Sequence, residues 1–337
     1  MTIKRVGFAC KFMHHDRTLK PKMLKEIEGP LNYRGTTIRW MREHLDEAQE
    51  RVYDIVEHNL TSTERLVDYV SSLPLSQRMV RLGSDMLPAY TEATFGHLTK
   101  TNYITDMIAS KLSTIGDKAR NNGVRMSMHP GGFTVLASDR PDVVENSIEE
   151  FEYHADIARY MGYGKQFQDF KLNVHISGRQ GPAGIKAILP RLSQEARNCI
   201  TIENDENKWG IDSSLELEKD VPLVLDIHHH WCREGEYIKP NDDRVKRVID
   251  SWRGVRPAMH YSVSREDYIV DHSPDVLPDK EKLLEAGYKK GKLRAHSDYM
   301  WNTAVNEWAG SFRDEFDIMV EAKAKNLASI PFEEMTR

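Results

Sequence analysis

The sequence is poor in features that mark secreted, membrane-spanning or disulfide-linked proteins. Its 337 residues include three cysteines, Cys10, Cys199 and Cys232, whose spacing matches neither a disulfide framework nor a metal-binding motif. It has no apolar run long enough to span a bilayer, and the N-terminal stretch MTIKRVGFAC lacks a signal-peptide pattern. We therefore expect a cytoplasmic protein whose cysteines stay reduced.

Phosphate-binding loops and interdomain linkers are also missing. The first predicted strand is followed by GFACKFM instead of a glycine-rich loop, which disfavours a doubly wound dinucleotide-binding sheet. The sequence shows no repeat or low-complexity segment that would divide it. Its net charge of −5 argues only weakly against a nucleic-acid partner, because local charge and bound metal ions matter more than the total.

What the sequence does contain is a regular alternation of short apolar segments and helical patterns. The apolar segments predict eight strands, at 3–10, 78–84, 124–130, 170–177, 198–205, 221–229, 255–263 and 316–323. Strands that alternate with helices in this number are typical of a (β/α)8 barrel of the α/β class. We expect a single TIM-barrel domain over residues 1–337, with loop insertions at 11–36 and 265–296.

Polar groups end most of these strands. In a barrel of this kind the carboxyl ends of the strands face one common mouth. The sixth strand runs into LVLDIHHHWC (223–232), where strand alternation would place Asp226 and His228 on one face and His229 on the other. Strands two to eight end in groups suited to metal ligation or acid–base chemistry, namely Ser84 with Asp85, His129, His175, Glu203, Asp226, His260 and Glu321.

This mixture of imidazole and carboxylate suits Zn²⁺, Mn²⁺ or Fe²⁺ better than Ca²⁺ or Mg²⁺. Because one ion needs three or four protein ligands, the surplus of candidates predicts two or three ions, with Glu203 or Glu321 as a bridge. Clustered ions favour a phosphodiester hydrolase, whereas a sugar isomerase or epimerase would need one or two ions and a catalytic lysine. Lys323 either neutralises charge on a phosphate or forms a strand-end salt bridge.

Eight motifs together resemble the ultraviolet-damage endonucleases, relatives of the endonuclease IV type of abasic-site nuclease. They are RLGSDMLP (81–88), SMHPGGFTVL (127–136), NVHISG (173–178), IENDE (202–206), DIHHH (226–230), MHYS (259–262), RAHSDY (294–299) and MVEAK (319–323). They follow the order of the family and cover nearly the whole chain. The resemblance implies a barrel with up to three divalent ions, often manganese. It also implies a monomer that cuts double-stranded DNA immediately 5′ to cyclobutane dimers and 6-4 photoproducts.

Carried over by motif, the resemblance implies a ligand set divided among three ions. The ligands are His129 and His175 for the first ion, Asp226, His260 and Glu321 for the second, and His229 and His296 for the third, with Glu203 as a bridge. Glu203, Glu321 and Lys323 are the residues expected to act in catalysis. His228 and His230 are expected to pack or to form hydrogen bonds behind the ligands.

The sequence departs from the family pattern at positions expected to meet the metal ions or the DNA. Ala258 stands where the family usually carries a lysine, two residues before His260. Gly132 and Phe133 replace the glutamine and tyrosine that probe the damaged duplex. Phe133 is expected either to wedge between bases or to pack in the core, and we favour the wedge because glycine lets a backbone approach DNA closely.

Two further groups of residues are candidates for DNA contact. Phe8 and Phe12 replace a tyrosine and an asparagine of the family, and each is expected to contact a base or to pack at the barrel end. A cationic run directly precedes His296 and is interpreted as a phosphate-binding loop or as a solvated face; it comprises Lys289, Lys290, Lys292 and Arg294.

An abasic-site nuclease of the endonuclease IV type is the main alternative function. Such enzymes usually bind their third ion through an Asp-x-His pair after the seventh strand, and the sequence shows no such pair near His260.

Overall fold

Eight short parallel strands form the wall of a (β/α)8 barrel in the computed structural model, which describes residues 3–337. The strands are β1 (Val6–Ala9), β2 (Met79–Leu82), β3 (Arg125–Met128), β4 (Lys171–His175), β5 (Ile200–Glu203), β6 (Leu223–Val224), β7 (Ala258–Tyr261) and β8 (Asp317–Val320). Each lies inside one of the predicted apolar segments, so the predicted fold is confirmed. The predicted segments were longer because they include polar residues that follow the strands, such as His129 and Asn204, and because strand boundaries are defined only to within one or two residues.

The strands pair in the order β6-β5-β4-β3-β2-β1-β8-β7. The ring closes between β6 and β7 through a single parallel bridge that joins Asp226 to His260, and the backbone N–H of His260 donates to the Leu225 carbonyl at 3.0 Å. Two predicted metal ligands therefore lie at the seam of the barrel.

Helices surround the strands. Within residues 3–337 the α-helices are α1 (Pro21–Glu28), α2 (Ile38–Glu43), α3 (Leu45–Ser72), α4 (Asn102–Asn121), α5 (Pro141–Tyr160), α6 (Gly181–Ile188), α7 (Gln194–Cys199), α8 (Ile211–Leu215), α9 (Ile227–Glu234), α10 (Asp243–Ser251), α11 (Lys280–Glu285), α12 (Lys290–Leu293), α13 (Thr303–Gly310) and α14 (Asn326–Met335). In this part of the chain no helix is both long enough and apolar enough to cross a membrane.

Alternation along each strand separates two environments. On β4, Leu172 and Val174 are buried in the main hydrophobic core, whereas Lys171, Asn173 and His175 have the opposite parity and face the barrel interior. The foot of the interior holds a small apolar cluster that includes Met79 and Ala258. Polar inward-facing groups are thus concentrated toward the mouth.

The opposite end of the barrel is closed by a buried ion cluster. Asp317, at the start of β8, lies 2.8 Å from Arg125 Nη1 and 2.7 Å from Arg256 Nε, and it accepts the backbone N–H of Arg5 at 2.8 Å. Its side chain is fully buried, and the cluster joins four segments of the chain at the end of the barrel opposite the mouth. Interactions at this end of a barrel serve stability.

The predicted strand at 221–229 is wrong in its second half. The strand ends at Val224, and the histidine run forms the first turns of α9, whose N-cap Asp226 accepts the backbone N–H of His229 at 2.7 Å. Helical spacing therefore replaces strand alternation, so the side chains of Asp226 and His229 converge while His228 turns away.

The two predicted insertions are partly helical rather than continuous loops. Residues 11–36 contain α1, and residues 265–296 contain α11 and α12. The second insertion is pinned at its base by an antiparallel bridge between Ser264 and His296. The bridge therefore holds His296, at the end of the insertion, close to Ser264, which directly precedes the insertion at the barrel mouth.

Candidate metal centre

Glu203 is the centre of the site. It ends β5 and is fully buried, with its Oε2 atom 3.4 Å from His129 Nε2, 3.9 Å from His175 Nε2 and 3.1 Å from His260 Nδ1. Asn173, one strand away, donates a hydrogen bond to the same oxygen. The carboxylate is therefore oriented by protein groups before any ion is considered.

Two sets of side chains share Glu203. One consists of His129, His175 and Glu203, and the other of Glu203, Asp226 and His260; within each set, one donor atom per residue lies within 4.8 Å of the others. The predicted bridging position of Glu203 agrees with this geometry. The two sets correspond to the predicted ligands of the first and second ions.

In two of the imidazole rings, Nδ1 is committed to a backbone carbonyl. Nδ1 of His129 donates to the Pro130 carbonyl at 2.9 Å, which leaves Nε2 facing Glu203. Nδ1 of His229 donates to the Asn204 carbonyl at 3.0 Å, and Nε2 on the other side of the ring lies 3.8 Å from Glu206 Oε2. Hydrogen bonds of this kind fix the tautomer that a metal ligand needs.

The remaining predicted ligands lie around the same mouth. Glu321 has Oε1 3.3 Å from His260 Nδ1, and its Oε2 lies 3.9 Å from His296 Nδ1. Asp226 Oδ2 lies 3.7 Å from His229 Nδ1. All eight predicted ligands are thus gathered at one end of the barrel.

His228 and His230 belong to neither ligand set, although the His228 ring packs edge-on against His296 with 5.9 Å between ring centroids. His228 lies 3.6 Å from the Cys232 sulfur and stacks on Trp231, and His230 Nε2 lies 3.0 Å from Glu236. The packing and hydrogen-bonding roles expected for them agree with these contacts.

Burial and neighbouring charges shift the pKa values of the candidate ligands in different directions. Burial lowers the pKa of His260 to about 4, so this ring is neutral near pH 7. Burial alone would raise the pKa of Glu203, but the nearby His260 and His175 hold it well below its usual value. Burial would likewise lower the pKa of His229, but Asp226 and other carboxylates raise it to about 9. Burial raises the pKa of Asp226 well above its usual value, whereas Glu203 is held in the anionic form that favours a bound cation.

Several buried ligand atoms have no hydrogen-bond partner among residues 3–337. They are Glu203 Oε1, Asp226 Oδ2 and His260 Nδ1. An unpaired polar atom in a protein interior costs free energy, and buried groups of this kind are normally paired or bound to an ion. These orphaned atoms all belong to the second set, so the residues present fit a divalent metal ion.

Sequence reasoning missed two cationic groups of the barrel interior. Arg81 of β2 forms an ion pair with Glu321, and Lys171 of β4 lies with its Nζ 2.8 Å from His260 Nε2. Burial lowers the pKa of Lys171 to about 7. The signal that could have found Lys171 is its parity with Asn173 and His175, which places a lysine on the inward face of a strand.

The aromatic candidates for DNA contact differ in how far their side chains are exposed to solvent. Phe133 is 71% exposed, and the position of Gly132 beside it is open, with nothing within 4 Å of an added Cβ. Phe8 is only 1% exposed, so its expected base contact is wrong; it belongs to the core, where its ring lies edge-on to Tyr69. Phe12 is partly buried and packs edge-on against the same tyrosine at 4.8 Å between ring centroids.

The cationic candidates differ in how far they are already paired. Lys289 and Lys290 are exposed, whereas Arg294 Nη1 lies 2.8 Å from Glu206 Oε1. The ammonium of Lys292 lies over the Tyr268 ring, 4.4 Å from its centroid. The Lys323 side chain is 52% exposed and lies 3.8 Å from Asp298. This contact is long and solvated, so it leaves Lys323 free to exchange its partner.

The fold and the site define a (β/α)8-barrel protein with a candidate centre for more than one divalent ion, assembled from the carboxyl ends of its strands. The chain belongs to the UV-endonuclease UvdE family, which it matches over residues 4–336. The resemblance found in the motifs is thereby confirmed.

Relatives with assigned names support the same family. The chain is 26% identical over 337 residues to the UV-damage endonuclease of Schizosaccharomyces pombe, across 96% of this chain and 49% of that protein. It is 25% identical over 301 residues to the UV DNA damage endonuclease of Bacillus cereus (strain Q1), across 85% of this chain and 83% of that protein. The chain thus spans about half the length of the S. pombe relative, and most of the length of the Bacillus one.

Solved structures show the same fold. The crystal structure of SacUVDE superposes with a TM-score of 0.71 at 22% identity, covering 98% of this chain and 96% of that one. Endonuclease IV from Thermus thermophilus superposes with a TM-score of 0.51 at 12% identity, covering 81% and 93% respectively. These likenesses establish the barrel architecture.

Proposed function

We propose that the protein is a metal-dependent DNA repair endonuclease that cuts the phosphodiester backbone immediately 5′ to ultraviolet photoproducts. The observation that carries this proposal is Glu203, a buried carboxylate shared by two sets of ligands at the mouth of a barrel of the UvdE family. The two UV-damage endonucleases named above are the relatives whose activity we carry over to this chain.

Two ions would be held by the two sets that share Glu203, and a third by His229 and His296. We propose Mn²⁺ as the metal, with Zn²⁺ and Fe²⁺ as the alternatives that the same ligands accept. Bound ions would supply Lewis acidity at a phosphate and neutralise its charge. The contribution of the protein is to hold the carboxylates and rings in fixed directions, as Asn173 does for Glu203 and the Pro130 carbonyl does for His129.

Selectivity for the lesion would come from the ease with which the damaged duplex deforms, and not from recognition of the base sequence. A photodimer weakens stacking, so extruding its two linked bases costs less than flipping normal ones. Phe133 is exposed at the mouth and beside an open glycine, so we propose that it fills the space left in the helix.

Cations around the mouth would hold the DNA backbone. Lys289 and Lys290 are exposed on the pinned insertion, and Lys323 follows β8. Contacts of this kind add affinity without sequence preference and weaken as salt concentration rises. We propose that Lys323 approaches the phosphate nearest the ions, because it lies two residues after Glu321.

One experiment tests the proposal directly. An end-labelled duplex is irradiated, mock-treated or given a single abasic site, then incubated with the purified protein and Mn²⁺, and the cut is mapped. We expect cleavage of the irradiated duplex alone, immediately 5′ to the photoproduct, with a 3′-hydroxyl end. Cleavage restricted to the abasic duplex would assign the protein to the endonuclease IV activity instead, and equal cleavage of all three would remove lesion recognition from the proposal.

A further inference from the structure

Two lysines on the rim of the mouth have no role in the candidate metal centre. β1 and β8 are neighbours in the barrel wall, so the loops that follow them emerge side by side. Lys11 lies two residues after the end of β1, and Lys325 lies four residues after Glu321, where the chain leads into α14. Both lysines therefore lie on the part of the rim that adjoins Glu321.

Lys325 is a partly buried cation with no anionic partner. In residues 3–337 its ammonium group lies within ion-pair distance of no carboxylate, and no acceptor takes a hydrogen bond from it. Burial lowers its pKa, and the positive charges of Arg81 and Lys11 lower it further. Cys10 and Glu321 act in the opposite sense, but Arg81 already forms an ion pair with Glu321. Burying an unpaired ammonium group is costly, so this position favours an anion brought in from outside.

A strained backbone places both lysines. Lys325 has a φ of 56° and a ψ of −122°, a conformation that residues other than glycine rarely adopt, and Cys10, next to Lys11, has a φ of 70°. The backbone N–H of Lys11 donates to the Ala9 carbonyl at 2.9 Å, so the chain turns sharply at Cys10. Conformations of this kind cost free energy and are concentrated where a protein aims functional groups.

Two asparagines fix the segment that follows Lys11. Asn326, buried at the start of α14, accepts the backbone N–H of Met13 at 2.8 Å and donates to its carbonyl at 2.9 Å. Asn32 makes the same two contacts with Phe12, at 2.8 and 2.9 Å. The loop after β1 is thereby tied to the loop after β8, so the backbone positions of the two lysines are fixed relative to one another.

We propose that Lys11 and Lys325 form a phosphate-binding site that holds the DNA strand at a phosphate next to the scissile one. This inference rests on the proposed endonuclease function and adds a contact to the backbone of its substrate. A phosphate supplies the negative charge that Lys325 lacks, and the exposed Lys11 lies where a strand can approach from solvent. Because one DNA strand carries a charge about every 3.4 Å along the helix axis, a strand whose scissile phosphate lies at the ions also brings its neighbours to the rim.

A merely solvated face would behave differently. If the two lysines only face water, removing either charge should change the affinity for DNA no more than removing an exposed lysine elsewhere. Lys165 provides that comparison, because it is exposed on the loop between α5 and β4, at the opposite end of the barrel. Methionine replaces lysine in each variant, since it keeps an unbranched side chain and carries no charge.

The first measurement is single-turnover nicking of a duplex with one photoproduct, with Mn²⁺ present and the protein in excess. The half-saturating protein concentration reports on binding, and the plateau rate reports on the chemical step. We expect Lys325→Met to raise the half-saturating concentration about tenfold and to leave the plateau rate unchanged, because a lost hydrogen bond to a charged group weakens binding uniformly. Lys325→Arg should restore most of the affinity, and Lys165→Met should match wild type.

The second measurement identifies the phosphate. A neutral methylphosphonate replaces one phosphate at a time on either side of the cut, and each duplex is tested with wild type and with Lys325→Met. At the position that Lys325 contacts, wild type should lose about tenfold in affinity and the variant should lose nothing more, whereas the two losses should multiply at every other position. Lys11→Met should show the same coupling at the same position.

A third measurement does not depend on cleavage. Binding of an undamaged duplex is followed by fluorescence anisotropy at several salt concentrations. The slope of log Kd against log salt concentration should fall by about 0.9 for each lost phosphate contact, hence in Lys325→Met and in Lys11→Met but not in Lys165→Met. The melting temperature of Lys325→Met should not fall, because the substitution removes an unpaired ammonium group.

The inference is overturned if the losses multiply at every phosphate, if Lys165→Met weakens binding as much as Lys325→Met, or if Lys325→Met lowers the plateau rate alone. If wild type does not nick the damaged duplex, the proposed function fails, and the salt slopes still decide whether the two lysines bind DNA. Normal nicking by wild type beside unchanged binding by both variants overturns only the phosphate site.

Discussion

Glu203→Gln is the substitution with the clearest expected effect. Both carboxylate oxygens face imidazoles, since Oε2 lies within 3.4 Å of His129 and His260, and Oε1 lies 3.4 Å from His229. A glutamine amide presents one oxygen and one NH₂ group, so whichever way it turns, a donor replaces an acceptor on one side. It also removes the negative charge that both ligand sets share.

The magnitude follows from the loss of a shared electrostatic group. Removing one donor that stabilises a developing charge costs an enzyme about a hundred- to a thousandfold in kcat. Because Glu203 serves two sets, we expect a loss on the order of a thousandfold or more, which corresponds to about 4 kcal/mol of activation free energy. The fold should survive, because the amide oxygen can still accept the hydrogen bond from Asn173.

The assay is nicking of an irradiated duplex at saturating substrate, beside the metal content and the melting temperature in chelator. Glu216→Gln is the matched control, since Glu216 is exposed at the C-terminal end of α8 and only its backbone N–H takes part in capping that helix. We expect the control to nick at the wild-type rate. Activity of Glu203→Gln within tenfold of wild type would show that the shared carboxylate is peripheral, and the proposed centre would then be wrong.

The metal content, the exposed aromatic ring and two buried ion clusters each give a further prediction. Metal analysis of protein purified without chelator should find more than one transition-metal ion per chain, and full activity with one ion or none would refute the cluster. Phe133→Ala should weaken binding to irradiated DNA by roughly 1–3 kcal/mol, the scale of one base–aromatic stack, and should leave the melting temperature unchanged because the ring is exposed; a large drop in melting temperature would place Phe133 in the core. Asp317→Asn should lower the free energy of unfolding by about 3–5 kcal/mol, because it removes the fully buried carboxylate that compensates two part-buried arginines, yet the folded fraction should nick normally. Glu333 should make the protein acid-sensitive: burial opposes its ionisation, but hydrogen bonds from Arg337 and other groups lower its pKa from 4.5 to about 2. The ionised Glu333 contributes about 1–2 kcal/mol to the free energy of unfolding, once solvent screening at the half-exposed Arg337 is allowed for. This contribution is present above pH 4.5 and is lost as the pH falls toward 2. In denaturant unfolding measured as a function of pH, the stability of Glu333→Gln should therefore fall less steeply in acid than that of wild type.

The strand pattern and the candidate ligands were readable from the sequence because both are local properties. An apolar segment of about five residues predicts a buried strand wherever it lies, and the polar residue after it must emerge at the carboxyl end. Glu203 and His129 could be assigned to one mouth on this basis alone, since a barrel brings all such ends together. The motifs then sufficed to find the family.

Local sequence patterns failed where the same residues are compatible with two conformations. The run after Asp226 fits the end of a strand as well as the start of a helix, because aspartate is also a preferred N-cap. The hydrogen bond to the backbone of His229 decides for the helix, and with it which histidine faces the site. Phe8 and Phe133 are likewise the same residue type, and only the tertiary packing shows that Phe8 is in the core and Phe133 on the surface.

The sequence by itself determined the barrel, the polar side chains at its mouth and the order of the candidate ligands along the chain. Only the tertiary structure decided that Glu203 is shared between two ligand sets and that Lys171 engages His260. These relations join residues on different strands, and they depend on the radius of the barrel and on the height of each side chain within it. No periodicity along one segment encodes a distance across the interior.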